Sequence, residues 1–187
     1  RFGVGNAIFR VGASIPAEVD TVPFGCFKKD VFSRFGLFDT RLVRNQDIEL
    51  NKRIKMGGGM ILLHPHIRCT YFARNRFRPL AWNNYLNGMW NILTVYYTKN
   101  THSISFRHIV PLIFVLSLLL PLLLGLINSS FLWFSVMSLI SYLAMVLGVS
   151  MNINDGNMKT YVYLISAFIV VHFSYGLGSI GGIIRIA

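Results

Sequence analysis

Apolar positions follow two regimes along this chain. Beyond residue 108, three stretches, 109–127, 131–149 and 160–184, contain no Asp, Glu, Lys or Arg. A membrane-crossing helix needs about 20 mostly apolar residues at 1.5 Å rise each. A soluble core helix rarely stays apolar on every face for so long. The pattern therefore predicts three transmembrane helices. Asn128-Ser129-Ser130 links the first two as a tight hairpin, and Pro121 is expected to kink the first. Before residue 109 the apolar runs are short. Residues 19–24 and 67–72 read as strands and residues 60–63 as a brief apolar run. Gln46–Met56 reads as a helix stopped by Gly57-Gly58-Gly59. This alternation predicts an α/β class for the first part.

Residues 79–97 have the cleanest helical period. Trp82, Tyr85, Leu86, Met89, Trp90, Leu93, Tyr96 and Tyr97 fall on one stripe, and Asn83, Asn84, Asn87, Asn91 and Thr94 on the opposite face. Arg74, Arg76 and Arg78 precede it and Lys99 follows. Aromatic residues flanked by cations, close to membrane spans, predict an interfacial amphipathic helix, with Arg74, Arg76, Arg78, Trp82 and Trp90 at the membrane surface. The Asn face suits either sugar hydroxyls or plain solvation. The expected organisation is residues 1–75, a partial catalytic domain; 76–108, the interfacial helix and linker; and 109–187, the membrane domain.

Charge sharpens this division. Of 18 Lys and Arg, 16 lie in residues 1–108, as do six of seven acids, so about +10 of the net +11 sits there. A dispersed basic excess beside membrane spans favours membrane lipid over nucleic acid as partner, and a cytoplasmic location for the basic part. On that orientation the first span leaves the cytoplasm, the second returns and the third leaves again. Cys26 and Cys69 are far apart without a metal-type spacing and read as free thiols. The chain begins with Arg1, which points to a piece of something longer.

Chemistry concentrates in the helix at Gln46. Leu50 and Ile54 share a face and are expected to pack inward. Asp47, three residues before Leu50 and in the first turn, is expected to point to a cleft, where the helix N-terminus favours negative charge. Glu49 and Arg53 are spaced i, i+4 and are expected to pair on the outer face, leaving Asp47 as the unspent carboxylate. Asp47 as a simple helix cap is the alternative.

The order Val19-Asp20-Thr21-Val22-Pro23-Phe24-Gly25, Phe35-Gly36-Leu37-Phe38-Asp39, Arg44-Asn45-Gln46-Asp47-Ile48-Glu49-Leu50, Arg53, Gly58-Gly59 and Leu63-His64-Pro65 resembles the second half of a family 2 glycosyltransferase of the GT-A fold, most closely the membrane-bound succinoglycan and exopolysaccharide type. The resemblance implies the C-terminal part of a GT-A nucleotide-diphospho-sugar transferase domain. It implies inverting transfer of a sugar from a nucleotide-sugar donor to a lipid-linked or polysaccharide acceptor. Asp47 matches the catalytic base. Gln46 stands where an acid is frequent, Arg53 matches a basic position after the motif, and Gly25 matches a small residue near the acceptor. Arg44 joins these as a substrate-binding position. A divalent metal, Mg or Mn, is implied, with its Asp-x-Asp ligands expected before Arg1. Glu18 and Asp20 mimic that spacing and read as structural acids. Of the Gln-x-x-Arg-Trp motif of processive synthases, aligned on Leu86, Met89 and Trp90, the Trp alone is present, so a single addition is expected.

Weaker signals read as structural. Gly176 to Gly181 spells a dinucleotide motif but lies in an apolar span, where Gly178 and Gly182 suit close helix packing. His64 and His66 lack a third ligand. His172 is either functional or a neutral side chain satisfied by a neighbouring helix. The competing reading of the whole chain is a non-catalytic membrane protein, either a transporter subunit or a module that binds anionic lipid or polysaccharide.

Overall fold

A computed structural model of the 187-residue chain describes residues 14–22, 24–68, 70, 74–99, 106–153 and 156–187. Its elements are β1 (Ala17–Glu18), α1 (Lys29–Phe35), α2 (Gln46–Met56), β2 (Leu62–Leu63), α3 (Phe77–Thr98), α4 (Phe106–Leu124), α5 (Leu132–Ile153) and α6 (Met158–Ile186), with a 3-10 turn at Ser129–Phe131. The chain divides into two compact units: Arg1–Asn75 with Thr94–Ser103, and Arg76–Leu93 with Ile104–Ala187.

The α/β expectation is overturned. The protein is mostly helical, and its two strands form one two-residue antiparallel ladder, Ala17 opposite Leu63 and Glu18 opposite Leu62. No parallel pair exists among the described residues, so this is not a GT-A domain. Extension at residues 19–24 fails after one further bond, from Val19 N–H to the Ile61 carbonyl at 2.9 Å. Asp20 bends the chain and Phe24 takes a positive φ of 53°. Ile67, Arg68 and Thr70 carry no strand. Positions 23, 69, 71 and 72, which belonged to the two expected strands, lie outside the described residues. Short apolar runs do not distinguish a strand from a loop: the first run buries Val19 against the core, whereas Ile67 in the second is exposed.

The first unit is built around α2. Leu50 is fully buried and Ile54 nearly so, with Val19 and Ile61 beside them and Val22, Phe27, Val31, Phe32, Phe35 and Leu63 packed around. The helix ends where the glycine run says it should. Gly58 adopts φ +76° and the Gly59 N–H reaches back to the Ile54 carbonyl at 2.8 Å, a left-handed stop that a Cβ would strain. Glu18 pairs with Lys55 at 2.6 Å, which raises the Lys55 pKa, so that acid is structural.

In the second unit, two helical segments are long and apolar enough to cross a membrane: Ser129–Ile153, 25 residues at mean hydropathy 2.0, and Met158–Ile186, 29 residues at 1.7. Their windows are mostly unburied by protein, unlike core helices of a soluble domain. The third expected span falls short. Its apolar helix is His108–Leu124, because the chain turns at residues 125–127, with the Gly125 N–H bonded to the Pro121 carbonyl at 2.8 Å. That leaves about 25 Å of apolar helix against a hydrocarbon core of about 30 Å. Absence of charge marked the stretch but did not mark where the helix ends.

The polar side chains of α4, α5 and α6 bond across helices. Ser117 and Ser138 hydroxyls lie 2.6 Å apart, the Ser135 hydroxyl donates to the Leu118 carbonyl at 2.8 Å, and the Tyr142 hydroxyl meets His172 Nδ1 at 3.0 Å. His172 thus has a neighbouring-helix partner. The glycines of α6 let other backbones approach. A Cβ on Gly178 would strike the Tyr85 backbone, one on Gly182 would lie 2.8 Å from the Met89 carbonyl, and one on Gly88 would strike the Tyr175 carbonyl. Helix α3 therefore docks on α6 through Tyr85, Gly88, Met89 and Ile92. This face shares Tyr85 and Met89 with the expected aromatic stripe but turns toward Gly88 and Ile92, where a backbone can approach. Trp90 is buried within the protein, whereas Trp82 is 62% exposed. The Asn face is neither simply solvated nor open. Asn91 donates to the Tyr175 hydroxyl, Asn84 to the Leu80 carbonyl at 2.8 Å, and Thr94 is buried.

Candidate functional site

A hollow of about 390 Å³ opens on the first unit, lined by Phe38, Asp39, Thr40, Leu42, Gln46 and Asp47. Two pieces of chain make it. The first turn of α2 supplies Gln46 and Asp47. The loop between α1 and α2 supplies the rest.

That loop is held from both ends. Phe38 packs against Phe27 and Phe32, with ring centroids 6.0 Å apart in each case. The Asp39 carboxylate accepts from the Arg41 N–H at 3.0 Å and from Arg41 Nε and Nη2 at 3.0 and 2.7 Å, a side-chain-closed turn. The Arg41 guanidinium holds the Asp39 carboxyl below its ordinary pKa. Behind the loop, Arg53 donates to the Phe35 carbonyl and, at 2.7 Å, to the Leu37 carbonyl, and it forks onto Glu49 at 2.6 and 2.8 Å. Two charge-assisted bonds in a fixed plane make this a directional staple between α2 and the loop. The Glu49–Arg53 pair thus forms, but Glu49 is buried, so the pair is not an outer-face one.

Asp47 is left over. It is exposed on the wall of the hollow, and its side chain has no hydrogen bond or ion pair to a described residue. Nor does it cap the helix: Asn45 holds that position at φ 65°, and its side chain donates instead to Thr94 Oγ1 at 3.4 Å.

The other expected site residues are dispersed. Gln46 shares the hollow with Asp47. Arg53 does not line it, being spent on Glu49, Phe35 and Leu37. Arg44 is half-buried and its pKa is lowered, first by burial and then by Arg74. Gly25 is exposed and does not line the hollow; a Cβ there would come 3.1 Å from the Phe27 ring. Arg74, Arg76 and Arg78 are exposed. Sequence reasoning missed the roles of Phe38, Asp39, Thr40 and Leu42. The signal available was Asp39-x-Arg41 just after Gly36, a loop-closing pattern rather than a catalytic one.

The described residues do not fit the divalent metal implied by the resemblance. They contain no group of three or more His, Cys, Asp or Glu placed to hold a metal ion. Of the two acids on the hollow, Asp39 is committed to Arg41. The His64 and His66 rings lie 5.2 Å apart, tilted at 43°, with no third ligand among the described residues. Cys26 is a free, exposed thiol, and Cys69 lies outside the described residues.

Comparisons with protein-family models, with curated proteins and with solved structures find no match for this chain. Its geometry and its sequence pattern carry the functional argument alone.

Proposed function

We propose that the chain is part of a membrane-held glycosyltransferase, with Asp47 as its general base. The reaction is a single inverting transfer from a nucleotide-sugar donor to a lipid-linked or polysaccharide acceptor at the cytoplasmic face of a multi-pass protein. The observation that supports this most is the contrast among neighbouring acids: Asp39 and Glu49 are each locked to an arginine, while Asp47 stands on the hollow without a partner among the described residues. A carboxylate placed this way is suited to accept a proton from a hydroxyl seated within hydrogen-bond reach. In the step, the acceptor oxygen forms a bond to the anomeric carbon. The bond from that carbon to the diphosphate oxygen breaks, and the nucleoside diphosphate leaves with the electron pair. The acceptor proton passes to Asp47. Gln46 and Thr40 supply amide and hydroxyl groups for the acceptor, and Phe38 an apolar face.

Two apolar helices of spanning length support membrane residence. The basic balance of residues 1–108 supports the cytoplasmic side. The missing Arg of the processive motif supports one addition per encounter. The test is label transfer from a panel of nucleotide sugars to a bacterial lipid extract, using the full-length protein in membranes. Labelled product with the wild type, and its loss in Asp47→Asn with the far-UV spectrum unchanged, is the expected result. Undiminished transfer by Asp47→Asn removes the base assignment. Binding of lipid or polysaccharide without transfer favours the non-catalytic alternative.

A further inference from the structure

The second unit has an uneven charge map. Among its described residues there is no Asp or Glu at all, yet Arg76, Arg78 and Lys159 are all exposed. Arg76 and Arg78 are more than 80 positions from Lys159 in sequence. The fold closes that gap. Phe77, between the two arginines, stacks on Tyr163 with ring centroids 6.3 Å apart and planes 29° apart. Lys159 is four residues before Tyr163 on α6, so the two share a helix face. Trp82 is four residues after Arg78 on α3 and shares its face in the same way. Trp82 and Tyr163 are 62% and 63% exposed.

We infer that the N-terminal ends of α3 and α6 form an anionic-lipid headgroup site, in which Arg76, Arg78 and Lys159 bind the phosphate of the headgroup and Trp82 and Tyr163 sit at the boundary with the acyl chains. Charge complementarity selects the occupant. Three exposed cations, with no carboxylate among the described residues of their own unit, attract a negative surface. Large amphipathic rings beside cations, at the start of an apolar helix of spanning length, match the headgroup layer and not bulk water. The arrangement also fixes an orientation: the N-terminal end of α6 faces the anionic leaflet. The inference rests on membrane residence of α6 and not on sugar transfer.

Trp82 is a built-in reporter. Full-length protein is reconstituted in phosphatidylcholine vesicles with about one-fifth of the lipid brominated, either as phosphatidylglycerol or as phosphatidylcholine, and Trp82→Phe gives the contribution of the other tryptophans. The Trp82 part of the fluorescence is expected to be quenched about threefold more by the brominated anionic lipid. The excess is expected to disappear in Arg76→Gln/Arg78→Gln/Lys159→Gln and to shrink at about 0.5 M salt. Inorganic phosphate at millimolar concentration is expected to leave it unchanged, which separates a headgroup from a free anion. Equal quenching by the two lipids overturns the site, as does displacement by phosphate. No quenching by either lipid overturns both the site and the membrane placement of this end of α6. None of these outcomes bears on Asp47.

Discussion

The two units solve the same problem, fixing loops and helices in place, with opposite chemistry. In the first, side chains do the fixing. A small apolar core around Leu50 and Ile54 is supplemented by charged staples, with Arg53 reaching two carbonyls and Glu49, and Arg41 closing the Asp39 turn. In the second, side chains are removed so that backbones can meet: Gly88 against the Tyr175 carbonyl, Gly178 against the Tyr85 backbone, Gly182 against Met89. The contrast follows from solvent. Where water competes, multidentate charge-assisted bonds give direction to a loop. Where apolar residues surround every helix, apolar burial no longer selects a face, and close approach through small residues does.

Substitutions that exchange one chemistry for the other test this contrast. The largest effect is expected at Gly178→Leu, where the new side chain meets helix backbone rather than a movable tip. It should cost about 4 kcal/mol or more and separate α3 from α6, read as a lowered unfolding midpoint in a detergent titration. Arg53→Ala should cost about 2 kcal/mol, because it leaves Glu49 buried without its partner and frees the Phe35 and Leu37 carbonyls. Partial exposure of Arg53 keeps the figure below that of a fully buried pair. Arg53→Lys should not recover the loss, since a point charge cannot span both carbonyls and the carboxylate. Gly148→Ala is the opposite case. Nothing lies within 4 Å of a Cβ there, so about 0.5 kcal/mol of stabilisation is expected, from the lower helix cost of Ala.

A smaller effect is expected from pH. The Asp39 carboxyl is held below its ordinary value of 3.8 by hydrogen bonding to Arg41, so its contribution to stability is complete above that value and is lost as the pH falls through the lowered folded value. The exposure of Arg41 keeps this contribution small. Unfolding midpoints measured from pH 5 downward should show a slope that Asp39→Asn removes.

What the sequence made legible were features set within one turn or one helix. The bounds of α2, the inward Leu50 and Ile54, the Glu49–Arg53 pair and the glycine stop all depend on spacing along a single segment. Features set by a distant partner were not legible. The runs at residues 19–24 and 67–72 had strand composition, yet among their described residues the pairing stops after the Val19 bond to Ile61. The docking face of α3 was shifted from its aromatic stripe toward Gly88 and Ile92 by the glycines of α6. The end of α4 was decided by a turn at Gly125 inside an uncharged stretch. Within the hollow, the residues on α2 were legible because a helix fixes their direction. Phe38, Asp39, Thr40 and Leu42 were not, because their place depends on how Arg53 and the Phe27–Phe32 pair fold the loop back.

The central claim is that Asp47 takes a proton in the transition state and does not merely shape the hollow. Steady-state kinetics of sugar transfer by wild type and Asp47→Asn, with Thr40→Val as a binding control, test it most directly. The account predicts that Asp47→Asn lowers kcat by about 10²–10⁴-fold with KM within about threefold, while Thr40→Val acts mainly on KM. A kcat for Asp47→Asn within about twofold of wild type contradicts it.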